Sequence, residues 1–163
     1  MPFRVGMGYD VHRFADITTH AQFITVCGVK INHTRGIIAH SDGDVAIHAL
    51  TDALLGCVGA GDIGQHFPND SPLWKDMSSS HFLVEATKHV EAQGYSILNF
   101  DITIICEHPK IAPHVQSMKD TLSDLLGLET ARMSIKATTT EKLGFLGRGE
   151  GIAAHAVALC IRS

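Results

Sequence analysis

The chain has 163 residues, 45% of them hydrophobic and 18% charged, which suits one core-burying domain and is short for several. A net charge of −4 with histidines neutral argues against a broad basic face for nucleic acid or an anionic membrane, so any phosphate-binding groups must be local. The longest apolar stretch, residues 151–161, is shorter than the roughly 20 residues a bilayer span needs and is interrupted by His155.

In chain order, residues 3–11 read as a strand running into a loop, with Gly6 and Gly8 permitting close backbone approach. Residues 23–26 and 29–31 flank Cys27-Gly28 and predict a hairpin, and residues 32–40 read as loop. Ser41-Asp42-Gly43-Asp44 has the S-x-x-D form of a capping box; it opens a helix over residues 45–58 that residues 59–64 end. Two prolines and several polar residues make 65–77 a surface loop. Further helices are predicted over 78–93, closed by Gly94, and over 111–126, closed by Gly127. Strands are predicted over 96–106, 133–138 and 151–161, with an irregular turn at 141–149. The last strand is nearly apolar on both faces, which fits either a sheet centre or a subunit interface. Strands alternate with helices and no repeat or long linker divides the chain. The expected fold is therefore a single α+β domain over residues 1–163, an α/β sandwich of mixed β-sheet with helices packed on one face.

The sequence enters at MPFRVGMGYDVH without a charged-then-apolar signal region, and its four cysteines (Cys27, Cys57, Cys106 and Cys160) form no CxxC pair. Both features point to reduced core thiols in a cytoplasmic protein. Eleven histidines are many for this length and hint at metal or acid–base chemistry. On a strand, residues i and i+2 share a face, so Asp10 and His12 can converge on one ion. His48, on the first turns of the helix, would complete an O/N/N set that leaves a fourth tetrahedral position open. Spacing alone does not single it out. Equally, Asp10 could cap a turn while the two histidines are hydrogen-bonded separately. Asp44 and His48 are four apart on the helix, so Asp44 could orient the His48 ring. The plainer reading makes Ser41, Asp42 and Asp44 helix caps.

Lys136-Ala137-Thr138-Thr139-Thr140-Glu141-Lys142 leaves a strand with three hydroxyls and a carboxylate. Such a turn can cradle phosphate oxygens while Glu141 holds Mg²⁺ between phosphates. In Gly147-Arg148-Gly149-Glu150-Gly151 an arginine lies between glycines, suited to bidentate contact with a diphosphate. A polar turn with a surface ion pair is the bland reading of both. The chain carries no Walker A loop, no G-x-G-x-x-G after a strand and no G-x-S-x-G elbow.

Taken in order, these segments closely resemble the 2-C-methyl-D-erythritol 2,4-cyclodiphosphate synthase family. The matching residues are Gly8-Tyr9-Asp10-Val11-His12, Ala39-His40-Ser41-Asp42-Gly43-Asp44-Val45, His48 through Gly56, Gly61-Asp62-Ile63-Gly64, Phe67-Pro68, Pro109-Lys110 and Lys136 through Gly151. The likeness spans essentially the whole chain. It implies conversion of 4-diphosphocytidyl-2-C-methyl-D-erythritol 2-phosphate to the cyclic 2,4-diphosphate and CMP, a step toward isoprenoid precursors on the non-mevalonate route. The substrate's own 2-phosphate would attack the β-phosphorus, so no protein nucleophile is needed.

By the same resemblance, Asp10, His12 and His48 hold zinc. Glu141 holds magnesium or manganese bridging the diphosphate, and His40 and Thr139 stabilise the transition state. Asp62 and Gly64, with Ile63 between them, match ribose-binding positions. Cys106, Pro109, Lys110, Ile111 and Ala112, with Ala137, Thr138 and Thr139, match walls of a cytidine pocket. Ser41, Phe67, Phe145 and Arg148 match further substrate contacts. The family is a homotrimer with active sites between subunits and a central cavity that could take an isoprenoid-like ligand, which tips the last strand toward subunit packing. The sequence departs from the family after Phe67-Pro68, where it has Asn69-Asp70-Ser71 in place of more acidic residues. Two rivals remain from the residues alone: a metal-dependent phosphohydrolase using bound water, and a non-catalytic trimeric binding module.

Overall fold

In the computed structural model, which describes residues 2–16, 22–68 and 77–163, the first strand β1 (Phe3–Phe14) runs past the predicted loop and carries Asp10 and His12 within it. It pairs antiparallel with β7 (Gly151–Arg162), which pairs antiparallel with β5 (Tyr95–Ile105); β5 pairs parallel with β6 (Met133–Thr138). A two-residue strand β4 (Ile37–Ile38), inside the segment read as loop, adds to the outer side of β1, giving the order β4-β1-β7-β5-β6. The last strand is thus a sheet centre. Its register sets Asp10 opposite Ala154 and Ala154 opposite Ile104, so the chemistry-bearing parts of the strands lie at one end of the sheet.

β2 (Phe23–Val26) and β3 (Val29–Asn32) form the predicted hairpin. Its two turn residues both have positive φ, 50° at Cys27 and 76° at Gly28, as a primed two-residue turn requires. Helix α1 (Val45–Val58) has Asp44 as its N-cap and Gly59 in the left-handed conformation at its end. The capping box read from Ser41 is therefore shifted: Asp44, and not Ser41, accepts from the helix, at Ile47 N. The Asp44 carboxylate also accepts from Cys27 N (2.9 Å) and Gly28 N (2.6 Å), so one wholly buried side chain ties the hairpin turn to the helix start.

α1 lies flat on β1 because β1 has no side chains beneath it at two positions. A Cβ on Gly6 would stand 1.9 Å from Ala53 O, and one on Gly8 1.9 Å from Ala49 O. The helix buries Val45, Ile47, Leu50, Leu54 and Leu55 against the sheet, each side chain contributing about 1.5–3 kcal/mol of transfer free energy. α3 (Ser79–Ala92) packs beside α1, and α4 (Val115–Leu126) covers β6 after a 3₁₀ turn, Ala112–His114, where one continuous helix was expected. Two single-turn helices, α2 (Ile63–His66) and α5 (Gly144–Gly147), lie within segments read as irregular. Most of the expected 65–77 loop, including Asn69-Asp70-Ser71, falls outside the described residues.

All three long helices pack on the same side. The opposite face of the sheet carries Phe3, Val5, Met7, Tyr9 and Val11 of β1 and Val157 of β7, all exposed. A sheet with one helix-covered face and one open apolar face is an unfinished sandwich.

Candidate metal centre and active site

Asp10 and His12 leave β1 on the helix side, where α1 brings His48 down onto them from its first turns. Asp10 Oδ2 lies 3.0 Å from His48 Nδ1 and 3.1 Å from His12 Nε2, and the two histidine nitrogens are 3.1 Å apart. Three donor atoms thus form a nearly equilateral triangle. A tetrahedral ion with bonds of about 2.0–2.1 Å holds its ligand atoms about 3.3 Å apart, so this O/N/N triangle fits such an ion on one side of its plane. Among the described residues it is the one group of three or more such side chains that could hold a metal. Burial works to raise the Asp10 carboxyl, but hydrogen bonds and charge from His12 and His48 outweigh it and hold it well below the usual carboxylate range.

Asp44 does not orient His48. Its carboxylate is consumed by the three backbone N–H groups already described, and burial pushes its pKa up to about 6 against them. The far nitrogen of the ring, Nε2, instead meets Ser79 Oγ at 2.8 Å and Ser41 Oγ at 3.3 Å. Ser79 is the first residue of α3, and sequence reasoning passed over it because its partner lies 31 residues away. Ser41 thereby joins the site beside His40, which is exposed.

Asp62 caps α2 by accepting from Gln65 N at 2.9 Å, which presents the exposed 61–64 turn toward solvent. That turn is held from below by Asp52, another residue missed, whose Oδ1 accepts from Ile63 N at 2.7 Å. Asp52 follows His48 by one helical turn, a spacing that could have drawn attention to it. Phe67 is buried, its ring 4.7 Å from that of Phe82 on α3.

The expected cytidine walls come together at the C-terminal ends of the parallel strands β5 and β6: Ile105 pairs with Thr138, and Cys106 N donates to Thr138 O. Glu107, within the segment 106–112 expected to form the wall, joins them, its Oε1 accepting from Thr140 N and Lys142 N. Cys106 and Ile111 point into the core, so they can offer only backbone groups to a ligand. Lys110, Ala112, Ala137 and Thr138 are exposed, and Pro109 and Thr139 half-buried. A cavity of about 410 Å³ borders Pro109, lined also by Phe14, His33, Arg35, Glu107 and Gly149. Thr139 Oγ1 lies 3.3 Å from Glu141 Oε1, and Glu141 and Lys142 both adopt positive φ, an uncommon pair of left-handed residues that turns the Glu141 carboxylate outward. Phe145 is exposed, and Arg148 pairs with Glu150 of its own chain at 2.7 Å.

The triad and the cytidine walls are not neighbours within the chain. From β1 across β7 to β5 is two strand spacings, about 10 Å, and to β6 three, about 14 Å. The four cysteines are all free and buried, so none is presented as a nucleophile. No helix of the described residues is long and apolar enough to cross a membrane.

The surrounding sequence space agrees with this arrangement. A protein named 2-C-methyl-D-erythritol 2,4-cyclodiphosphate synthase from Anaplasma phagocytophilum (strain HZ) is 67% identical over 162 residues, covering 99% of this chain and 96% of its own length. The protein of the same name from Ehrlichia canis (strain Jake) is 58% identical, covering 97% of this chain and 92% of its own. Among solved structures, a 2C-methyl-D-erythritol-2,4-cyclodiphosphate synthase in its CDP-bound form superposes with a TM-score of 0.86 at 39% identity, over 96% of this chain and 99% of that one. The bifunctional IspDF from Campylobacter jejuni reaches a TM-score of 0.92 at 38% identity; there the match covers 99% of this chain and 42% of the longer protein. The mixed sheet with helices on one face is therefore the architecture of these enzymes too. With the model of one family matching from residue 3 to residue 161, across every element described above, this chain belongs to the YgbB family.

Proposed function

We propose that this protein closes the cyclic diphosphate: it converts 4-diphosphocytidyl-2-C-methyl-D-erythritol 2-phosphate to 2-C-methyl-D-erythritol 2,4-cyclodiphosphate and CMP. The observation that carries the reading is the Asp10–His12–His48 triangle, placed on the frame shared with relatives of that name. An oxygen of the substrate's 2-phosphate bonds to the β-phosphorus, the β-phosphorus–bridging-oxygen bond breaks, and CMP departs with that oxygen. No protein nucleophile enters, in keeping with four buried cysteines and no activated serine motif.

Asp10, His12 and His48 would hold zinc, and Glu141, facing outward beside Thr139, would hold magnesium or manganese. Such ions supply Lewis acidity toward diphosphate oxygens and neutralise developing charge. The chain's own part is positioning. The Asp62–Gly64 turn, braced by Asp52, receives the ribose. The backbone of residues 106–112, clamped to 139–142 by Glu107, receives the cytosine and selects for it. His40 and Thr139 face the transferring phosphoryl group, with Ser41, Phe67, Phe145 and Arg148 around it.

The separation of triad from cytidine wall and the open apolar face together support a homotrimer, with each site shared between one protomer's triad and its neighbour's wall. A central cavity on the trimer axis would then be able to take an isoprenoid-like ligand. One folded domain spanning residues 1–163, working in the cytoplasm, completes the reading.

The test is ³¹P NMR of the reaction with purified protein, Zn²⁺ and Mg²⁺. The expected products are the cyclic diphosphate and CMP, lost in His48→Ala. An open phosphate monoester would establish hydrolysis instead, and turnover by His48→Ala without bound metal would remove the triad from the chemistry. An adenosine analogue turned over comparably would overturn the cytosine selectivity.

A further inference from the structure

We infer that Ser79 and Asp42 form a relay that fixes the ring orientation of His48 by holding its Nε2–H, making Ser79 a positioning residue for the metal centre; the inference rests on the metal reading of the triad. Ser79 is fully buried at the start of α3 and its hydroxyl has one proton to give. Asp42 occupies both ends of that residue: Oδ2 accepts from Ser79 N at 3.2 Å, and Oδ1 accepts from Ser79 Oγ. A carboxylate only accepts, so the hydroxyl proton lies between Ser79 and Asp42. Ser79 Oγ is then left with lone pairs toward His48 Nε2, 2.8 Å away, and that nitrogen must donate. Nδ1, 3.0 Å from Asp10 Oδ2 and 3.1 Å from His12 Nε2, is then the nitrogen turned into the triad, hydrogen-bonded to the Asp10 carboxylate until an ion takes the place of that proton. The relay thus sets which ring nitrogen faces the triad before any ion arrives. It replaces the direct carboxylate–histidine contact by one with a hydroxyl between.

Two measurements on metal-free protein test this. Nitrogen-15 chemical shifts of the His48 ring read whether Nε2 carries a proton, and titration with Co²⁺, followed by its visible absorption, reads affinity without turnover. Wild type should show the Nε2–H form. Ser79→Ala should bind Co²⁺ about 10- to 100-fold more weakly while keeping its far-UV circular dichroism. Asp42→Asn offers one acceptor to the two groups of Ser79, so the hydroxyl is released toward His48, Nε2 gives up its proton and Co²⁺ affinity falls. If Ser79→Ala does not fold, Asp42→Asn and the wild-type spectrum decide alone. A wild-type Nε2 without a proton, or wild-type Co²⁺ affinity in both variants, overturns the inference. A wild type that holds the Nε2–H form but takes no Co²⁺ refutes the metal reading and leaves the grip of Ser79 on the ring established.

Discussion

Replacing Gly8 by alanine tests how the fold delivers His48. The added Cβ would stand 1.9 Å from Ala49 O and 2.9 Å from Ala53 N, both helix backbone, so no side chain can turn aside to make room. α1 must retreat by about 1.5 Å to restore ordinary contact, and overpacking of that kind costs about 1–3 kcal/mol, with rigid backbone on both sides placing it at the upper end. His48 adjoins Ala49, so the same movement opens the 3.0 and 3.1 Å triangle by a margin that a metal site tolerates poorly. Gly56→Ala is the control on the same helix. Its Cβ would meet nothing closer than 3.7 Å and its backbone is ordinary, so it should gain about 0.4–1 kcal/mol from the less flexible unfolded chain. Urea denaturation followed by circular dichroism, with Co²⁺ titration alongside, separates the two. A Gly8→Ala protein with wild-type midpoint and affinity would refute the claim that β1 is bare there so that the helix can carry His48 into place.

Asp44 predicts a pH effect on stability. Its folded pKa, near 6, lies above the unfolded value of 3.8, so its contribution is full below about pH 4 and is lost as pH rises through 6. The loss is on the order of 2–3 kcal/mol, and Asp44→Asn should remove that slope while being less stable at low pH, with one oxygen left for three N–H donors. A pH series of denaturation curves with identical slopes for both proteins would contradict this. Met7→Asp places a charge on the exposed β1 face and should give a folded monomer by sedimentation velocity; a surviving trimer would place the interface elsewhere. Asp52→Ala frees Ile63 N and should raise KM about 5- to 10-fold with kcat little changed, since about 1–1.5 kcal/mol of turn ordering is lost. A fall in kcat at constant KM would contradict a bracing role.

What was legible in the sequence was local. The Asp44-capped helix, the Cys27-Gly28 hairpin and the closing glycines at 59 and 127 all depend on neighbours within a few residues, and each formed where expected. The i, i+2 geometry of Asp10 and His12 held because β1 is regular through both. The site's supports were not legible because they join distant segments. Ser79 reaches His48, and Glu107 reaches Thr140 33 residues on, with no periodicity to announce either. The assignment of Asp44 to His48 failed for a related reason: helical spacing made them neighbours, but the hairpin's N–H groups, 16 and 17 residues back, claimed the carboxylate first. β4 escaped notice because two residues are too few to show alternation.

The most direct test of the account is a crystal of the protein grown with Zn²⁺, Mg²⁺ and CDP, with diffraction recorded at the zinc absorption edge. Anomalous density is expected bonded to Asp10 Oδ2, His12 Nε2 and His48 Nδ1, with the β-phosphate against it and the cytosine on residues 106–112 of a neighbouring protomer. Zinc elsewhere, or a base bound without its diphosphate at the triad, would contradict it.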